Sequence, residues 1–381
     1  MEKRTYKNTE LKISLLGMGC MRLPKIDPDK NDIDYEKAQE IIDYAYAHGI
    51  NYFDTAYGYH GGESETFVGH ALKKYPRESF FLASKMPIWC AEKPEDVEKI
   101  FFEQLKKCQT EYFDFYLFHS QNAANFEKCQ KFGVYEFLSK MKAEGKIRHL
   151  GFSFHDKPDV LRHICDTYTW DFAQIQLNYL DWEMQDAKQQ YEILNEHGIP
   201  VIVMEPVRGG ALANLCEESN EIFAEARPGK SVASWAIRYA ATLPNVMTVL
   251  SGMSNMEQIQ DNIATMTDFE PLTEADYATI EKAVAVFREK KTVPCTGCRY
   301  CMDCPFGVEI PKMFKMYNDY AIHKDEHRYW KSYHEQPESE WADKCQACGA
   351  CMEQCPQHIQ IPDKMAMIKE LMNGFDQKFS K

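Results

Sequence analysis

No run of 18 or more apolar residues occurs anywhere in the 381-residue chain, which excludes a conventional membrane-spanning helix. No apolar stretch follows the opening MEKRTYKNTE, so a secretory signal is not expected and a cytoplasmic location is. Positive charge is also short. Lys and Arg number 44 against 58 Asp and Glu, a formal net charge of −14. A phosphate backbone demands a surface rich in Lys and Arg, so nucleic acid is excluded as a partner. A dinucleotide fingerprint is missing too: LGMGCMR holds Gly17 and Gly19, but no G-x-G-x-x-G opens a helix there. Apolar residues, by contrast, make up 44% and aromatics 13%, enough to bury a core. At roughly 100–200 residues per domain, the length allows one large domain plus an extra module.

Cysteine is plentiful but unevenly spread. Of 14, six lie scattered (Cys20, Cys90, Cys108, Cys129, Cys165, Cys216) and eight fall between Cys295 and Cys355. In a large domain without an export signal, a disulfide scaffold is not the expectation. The distribution predicts two domains, residues 1–290 and 291–381.

The first of these alternates short apolar runs with amphipathic ones. Candidate strands are SLLGMGCM (14–21), NYFDT (51–55), FFLASK (80–85), DFYLFH (114–119), IRHLGFS (147–153), FAQIQLN (172–178), PVIVME (200–205) and MTVLSG (247–252). Helical stretches lie between them, from Tyr35 to His48, Pro94 to Cys108, Gly133 to Glu144, Glu183 to His197 and Ser231 to Thr242. Eight strand–helix units over about 250 residues predict an α/β (β/α)8 TIM barrel, with a doubly wound sheet as the rival. Chemistry in such a barrel sits at the C-terminal strand ends. Their last polar residues are Asp54, Lys85, His119, Ser153, Gln174, Asn178, Glu205 and Ser251. Each alone reads as a cap, a surface lysine or a core histidine. Asp, Lys and His on consecutive strands two, three and four converge on one mouth.

NYFDTAYGYHGGESETFVG, with FLASKMP, DFYLFHS, EGKIRHLGFS and AQIQLNYLD, resembles the aldo/keto reductase family over residues 5 to 290. The resemblance implies a catalytic tetrad of Asp54, Tyr59, Lys85 and His119. A tyrosine phenol is a poor acid near neutrality, with an ordinary pKa of about 10. A neighbouring ammonium stabilises the phenolate and lowers that value. Tyr59 is then the general acid/base, Lys85 its tuner, His119 the orienting donor and Asp54 the partner of the lysine. The resemblance also implies NADPH or NADH as cofactor and a small-molecule carbonyl substrate. Gln174 and Asn178 match positions near the nicotinamide carboxamide, Ser153 a second contact, and Met204 the ring cover. Ser251 and Asn262 belong to the strand-eight loop, with Asn262 on the adenine side. Arg208, in MEPVRGG, matches a pyrophosphate contact. The usual Asn after Ser153 is Phe154 here, and SGMSNMEQIQDN lacks the Lys and Arg that commonly hold a 2′-phosphate. Family habit puts NADPH ahead of NADH, and the missing basic pair counts against it. Trp89 and Trp182 are candidate pocket walls or packing aromatics.

Cys345, Cys348, Cys351 and Cys355, followed by Pro356, read C-x2-C-x2-C-x3-C-P, the ferredoxin run for a [4Fe–4S] cluster. Cys295, Cys298, Cys301 and Cys304, followed by Pro305, form a second run one residue shorter at the last gap. In two-cluster ferredoxins the fourth cysteine ligates the other cluster. Two [4Fe–4S] clusters are therefore expected, one on Cys295, Cys298, Cys301 and Cys355, the other on Cys345, Cys348, Cys351 and Cys304. Zinc is the alternative, although it needs neither the third C-x2 step nor the Cys-Pro ending. IPKMFKMYNDYAIHK is amphipathic and predicts a mainly helical module. The whole tail resembles that of a subgroup of bacterial and archaeal aldo/keto reductases. Its clusters either relay electrons, to or from a redox protein partner, or staple a tail whose own core is thin. The alternative to a carbonyl reductase is an iron–sulfur electron carrier whose barrel holds a cofactor or redox partner.

Overall fold

Apolar runs rich in Val, Ile, Leu and Phe are stable as strands only in a sheet covered on both faces. A computed structural model describes residues 1–7, 9–27, 30–267, 269–302 and 304–379. In it all eight runs are strands: β1 (Leu16–Gly19), β2 (Tyr52–Asp54), β3 (Phe81–Met86), β4 (Phe113–Gln121), β5 (Ile147–Phe154), β6 (Phe172–Gln176), β7 (Val201–Met204) and β8 (Val246–Ser251). Each pairs in parallel with its neighbour in sequence, and β8 returns to β1, closing the barrel. Helices Tyr35–Ala47, Pro94–Lys107, Val134–Ala143, Ala187–Glu196 and Val232–Thr242 alternate with the strands. The (β/α)8 barrel is the fold, and the doubly wound rival falls away.

Side chains on a strand alternate between faces. Tyr52, Ala83, Leu117, Phe172 and Ile202 point inward and pack in one cluster. Two residues further along the same faces stand Asp54, Lys85, His119, Gln174 and Met204. The period of two therefore delivers five candidate residues to one end of the barrel. The other end is covered by an antiparallel hairpin, Lys3–Thr5 with Lys12–Ser14, which the apolar pattern did not foretell. Tyr6, next to its first strand, and Ile13, within its second, join the interior cluster, and the Tyr6 hydroxyl donates to the Asp171 carbonyl at 2.8 Å.

The described residues divide into two compact units, 1–207 with 233–273 and 208–232 with 274–381. The first holds all eight barrel strands. In the second, helix Glu217–Ala226 meets helix Glu274–Arg288, where the Ser219 hydroxyl donates to the Ala283 carbonyl at 2.8 Å. Arg227 grips both oxygens of Asp276 at 2.8 and 2.7 Å. Helices Ile310–His323, Glu326–His334 and Ile361–Phe379 then bury Val308, Met313, Phe314, Tyr333, Met365 and Ile368 together. The tail is mainly helical as expected, but its apolar core is thicker than its short cysteine-rich runs suggest. No helix among the described residues is long and apolar enough to cross a membrane.

Candidate active site

At the C-terminal end of the barrel the Lys85 ammonium lies 2.6 Å from an Asp54 carboxylate oxygen and 2.8 Å from the Thr55 carbonyl. It reaches the Tyr59 hydroxyl at 3.4 Å and sits 5.0 Å from the centre of that ring. Lys85 is 1% exposed and Asp54 3%, so the pair is out of water. His119, also buried, meets Tyr59 edge-on with ring centres 6.1 Å apart. The Trp89 ring also packs against His119, with ring centres 4.9 Å apart. The four residues of the expected tetrad thus gather at one mouth. Trp182 instead packs against the rings of Tyr191 and Tyr239.

Burial drives the His119 imidazole well below its ordinary value, and the Lys85 ammonium and His155 push the same way. The ring is therefore neutral at pH 7. Burial also raises the Asp54 carboxyl, against the pull of Lys85. Residue types alone predict a phenol lowered by its ammonium neighbour. The structure differs: burial holds Tyr59 well above its ordinary value, the Asp54 and Glu205 carboxylates add to this, and Arg22 opposes it. Lys85 spends its two shortest contacts on Asp54 and Thr55, which leaves the phenol protonated.

Support comes from behind the lysine. Glu65 accepts from the Ser84 hydroxyl at 2.5 Å and from the Gln104 amide at 2.6 Å, and that amide also donates to the Lys85 carbonyl at 3.0 Å. The Tyr116 hydroxyl closes the network on Gln104. Arg22 and Glu205 form an ion pair at 2.9 Å. Of these, only Glu205 stood among the strand-end polar residues read from sequence, and it was given no role there. Glu65 lies inside the GGESE stretch, and Glu205 ends the apolar run PVIVME, so both carried a local signal; Gln104 and Arg22 carried none.

Of the expected cofactor residues, Ser153, Gln174, Met204 and Ser251 lie on the barrel strands toward the same end. Gln174 donates to the Met204 sulfur at 3.6 Å, while its buried carbonyl oxygen has no hydrogen-bond partner among the described residues. A carboxamide N–H fits such an acceptor. Ser153 accepts from the Ser120 amide at 2.7 Å, and Asn262 donates to the Ser251 hydroxyl at 3.0 Å. Asn178 is more committed. Its oxygen accepts from the Leu180 and Asp181 amides and its nitrogen donates to Asp181 and to the Glu205 carbonyl. Arg208 directs its guanidinium at the Pro294 carbonyl and the Gln357 side chain, at 3.3 and 3.1 Å.

In the second unit the eight tail cysteines line two cavities. Cys295, Cys298, Cys301 and Cys355 share one. Cys304, Cys345, Cys348 and Cys351 share the other, of about 220 Å³, which Cys301 also touches. Among the described residues, no three of these thiols are grouped to hold a single metal ion. Tetrahedral zinc would need them about 2.3 Å from one point, whereas a cubane takes thiolates spread around its corners. The donor set fits iron–sulfur clusters.

Known proteins match both parts. The model of the aldo/keto reductase family covers residues 15–285, and that of a 4Fe-4S dicluster domain covers residues 294–360. The L-galactose dehydrogenase of Arabidopsis thaliana is 26% identical over 313 residues, 77% of this chain and 96% of that protein. The NADH-specific methylglyoxal reductase of Escherichia coli is 26% identical over 333 residues, 76% of this chain and 100% of that protein. An aldo-keto reductase from Bacillus halodurans, in its holo form, superposes with a TM-score of 0.61 at 27% identity, over 74% of this chain and 96% of that one.

Proposed function

Because the chain belongs to the aldo/keto reductase family of oxidoreductases and carries a 4Fe–4S dicluster domain, we propose that it reduces an aldehyde or ketone with NADPH or NADH. The observation that carries this reading is the Lys85 ammonium set between the Asp54 carboxylate and the Tyr59 hydroxyl. A nicotinamide dinucleotide held there would supply hydride to the carbonyl carbon. Tyr59, protonated at neutral pH, gives its proton to the carbonyl oxygen, and Lys85 stabilises the phenolate left behind. Neutral His119 donates a hydrogen bond to the same oxygen and orients it. Asp54 holds the ammonium in place. Gln174 and Ser153 receive the carboxamide, Met204 covers the ring, and Ser251 with Asn262 face the adenine side. Asn178 keeps this role only by exchanging a contact it now makes within the chain.

The cysteine linings support two [4Fe–4S] clusters with crossed ligation, Cys295, Cys298 and Cys301 with Cys355, and Cys345, Cys348 and Cys351 with Cys304. Hydride carries two electrons and each cluster would take one, so the clusters would either relay electrons singly to or from a partner or staple the tail. A second reading, an iron–sulfur electron carrier with a cofactor-binding barrel, draws on the exposed Cys348 and Phe306 beside the larger cavity.

The test is nicotinamide oxidation by anaerobically purified, iron-loaded protein against a carbonyl panel that includes methylglyoxal, with both dinucleotides. Tyr59→Phe lowers kcat by about 10²–10⁴-fold and leaves the cluster absorbance intact. Undiminished turnover in that variant removes Tyr59 from its role, and no turnover of any carbonyl favours the carrier.

A further inference from the structure

The turn after β7, Arg208–Gly209–Gly210, belongs to the second unit. Gly209 has φ +65°, and a Cβ on it would lie 2.1 Å from the Thr296 carbonyl oxygen. Only glycine lets this backbone close on the segment that opens the cysteine tail. Arg208 is 4% exposed and donates to two groups at 3.3 and 3.1 Å, the Pro294 carbonyl and the Gln357 amide oxygen. Pro294 immediately precedes Cys295, and Gln357 lies two residues after Cys355. Thr296 and Gln357 line the same cavity as Cys295, Cys298, Cys301 and Cys355. One guanidinium therefore ties together two stretches of chain that are some 60 residues apart in sequence and that both supply ligands to that cavity.

The geometry points to Arg208 as a positioning residue for one cluster only, the one on Cys295, Cys298, Cys301 and Cys355, whose reduction potential its charge raises. The inference rests on the crossed ligation proposed above. A [4Fe–4S] cluster with four thiolates is anionic, and accepting one electron makes it more so by one charge. A buried cation close by stabilises the reduced form more than the oxidised one, and little water intervenes to screen it. The electron in the experiment comes from dithionite as titrant.

Iron and sulfide content and an EPR-monitored redox titration of the full-length holoprotein test this, with wild type, Arg208→Gln and Arg208→Lys side by side. Wild-type protein that binds only about four irons overturns the two-cluster reading itself, before any variant is compared. With both clusters present, the expected result is a negative shift of one midpoint in Arg208→Gln, no change in the other, and reversal of the shift in Arg208→Lys. Selective loss of one cluster in Arg208→Gln, with both retained in Arg208→Lys, also supports the role. Two unmoved midpoints in Arg208→Gln overturn it. So do equal shifts, or equal cluster loss, in the two variants, because charge then plays no part.

Discussion

Asp54 and Lys85 are each legible as polar residues at a strand end, yet their worth lies in being buried together at 2.6 Å. Removing one partner leaves a charge in a dry site. Lys85→Met should cost about 3–5 kcal/mol in urea unfolding, and the double variant with Asp54→Asn should recover most of that without restoring turnover. Equal stability for the single and double variants would argue that the pair is not coupled. His60 makes a second residue-scale case. Its Nε2 accepts from the Leu23 amide at 3.1 Å, and burial lowers the ring to about 4. A histidine lowered on folding contributes stability that is present above its unfolded value, about 6.5, and is lost as pH falls toward 4. Thermal midpoints of His60→Gln should therefore fall less than wild type over that window. Nothing in the stretch AYGYHGG announces this, because burial is decided by residues far away in sequence.

The eight strands were legible because each is a compact apolar run that no helix period explains. What the pattern left out is how closely the strands approach. Gly151 of β5 has room for no side chain: a Cβ would lie 2.4 Å from the Phe172 carbonyl of β6. Gly151→Ala should destabilise the protein by at least about 1–3 kcal/mol, read as a lower urea midpoint at unchanged slope. An unchanged midpoint would mean that β5 and β6 separate at little cost. The same scale explains the phenol of Tyr59. Spacing along the strand brings the Lys85 ammonium to the mouth and the turn after β2 brings the Tyr59 hydroxyl, whereas the packing around them keeps the proton on the phenol. Carbonyl reduction should accordingly hold its rate across neutral pH, and oxidation of the alcohol product should rise with pH. Reduction that falls away through neutrality would contradict the raised phenol.

Over the whole chain, the change in cysteine density near residue 290 marks where the tail begins. The division into units is less simple, since residues 208–232 and 274–290 group with the tail although they lie within the stretch read as barrel. Helix pairing of Glu217–Ala226 with Glu274–Arg288, and Arg208 on Pro294 and Gln357, are the contacts behind it. Crossed ligation can be tested at this scale by pairing variants. If Cys298 and Cys355 serve one cluster, Cys298→Ala with Cys355→Ala should keep about four irons, as either single change does. Loss of nearly all iron in the double variant would assign the two cysteines to different clusters.

Composition and spacing by themselves determined the barrel, the Asp, Lys and His at three consecutive strand ends, and the two cysteine runs; Tyr59 came from the family resemblance. A period of two along a strand and a C-x2-C step are short-range rules that hold wherever the chain travels. Tertiary structure alone decided which groups are deprived of water and which partners they meet. It buried Lys85 with Asp54, kept the Tyr59 proton in place, set Glu65 and Gln104 behind the lysine, and turned Arg208 toward Pro294 and Gln357. Desolvation and charge pairing depend on the distance between residues that are remote in sequence, and only the folded chain sets that distance.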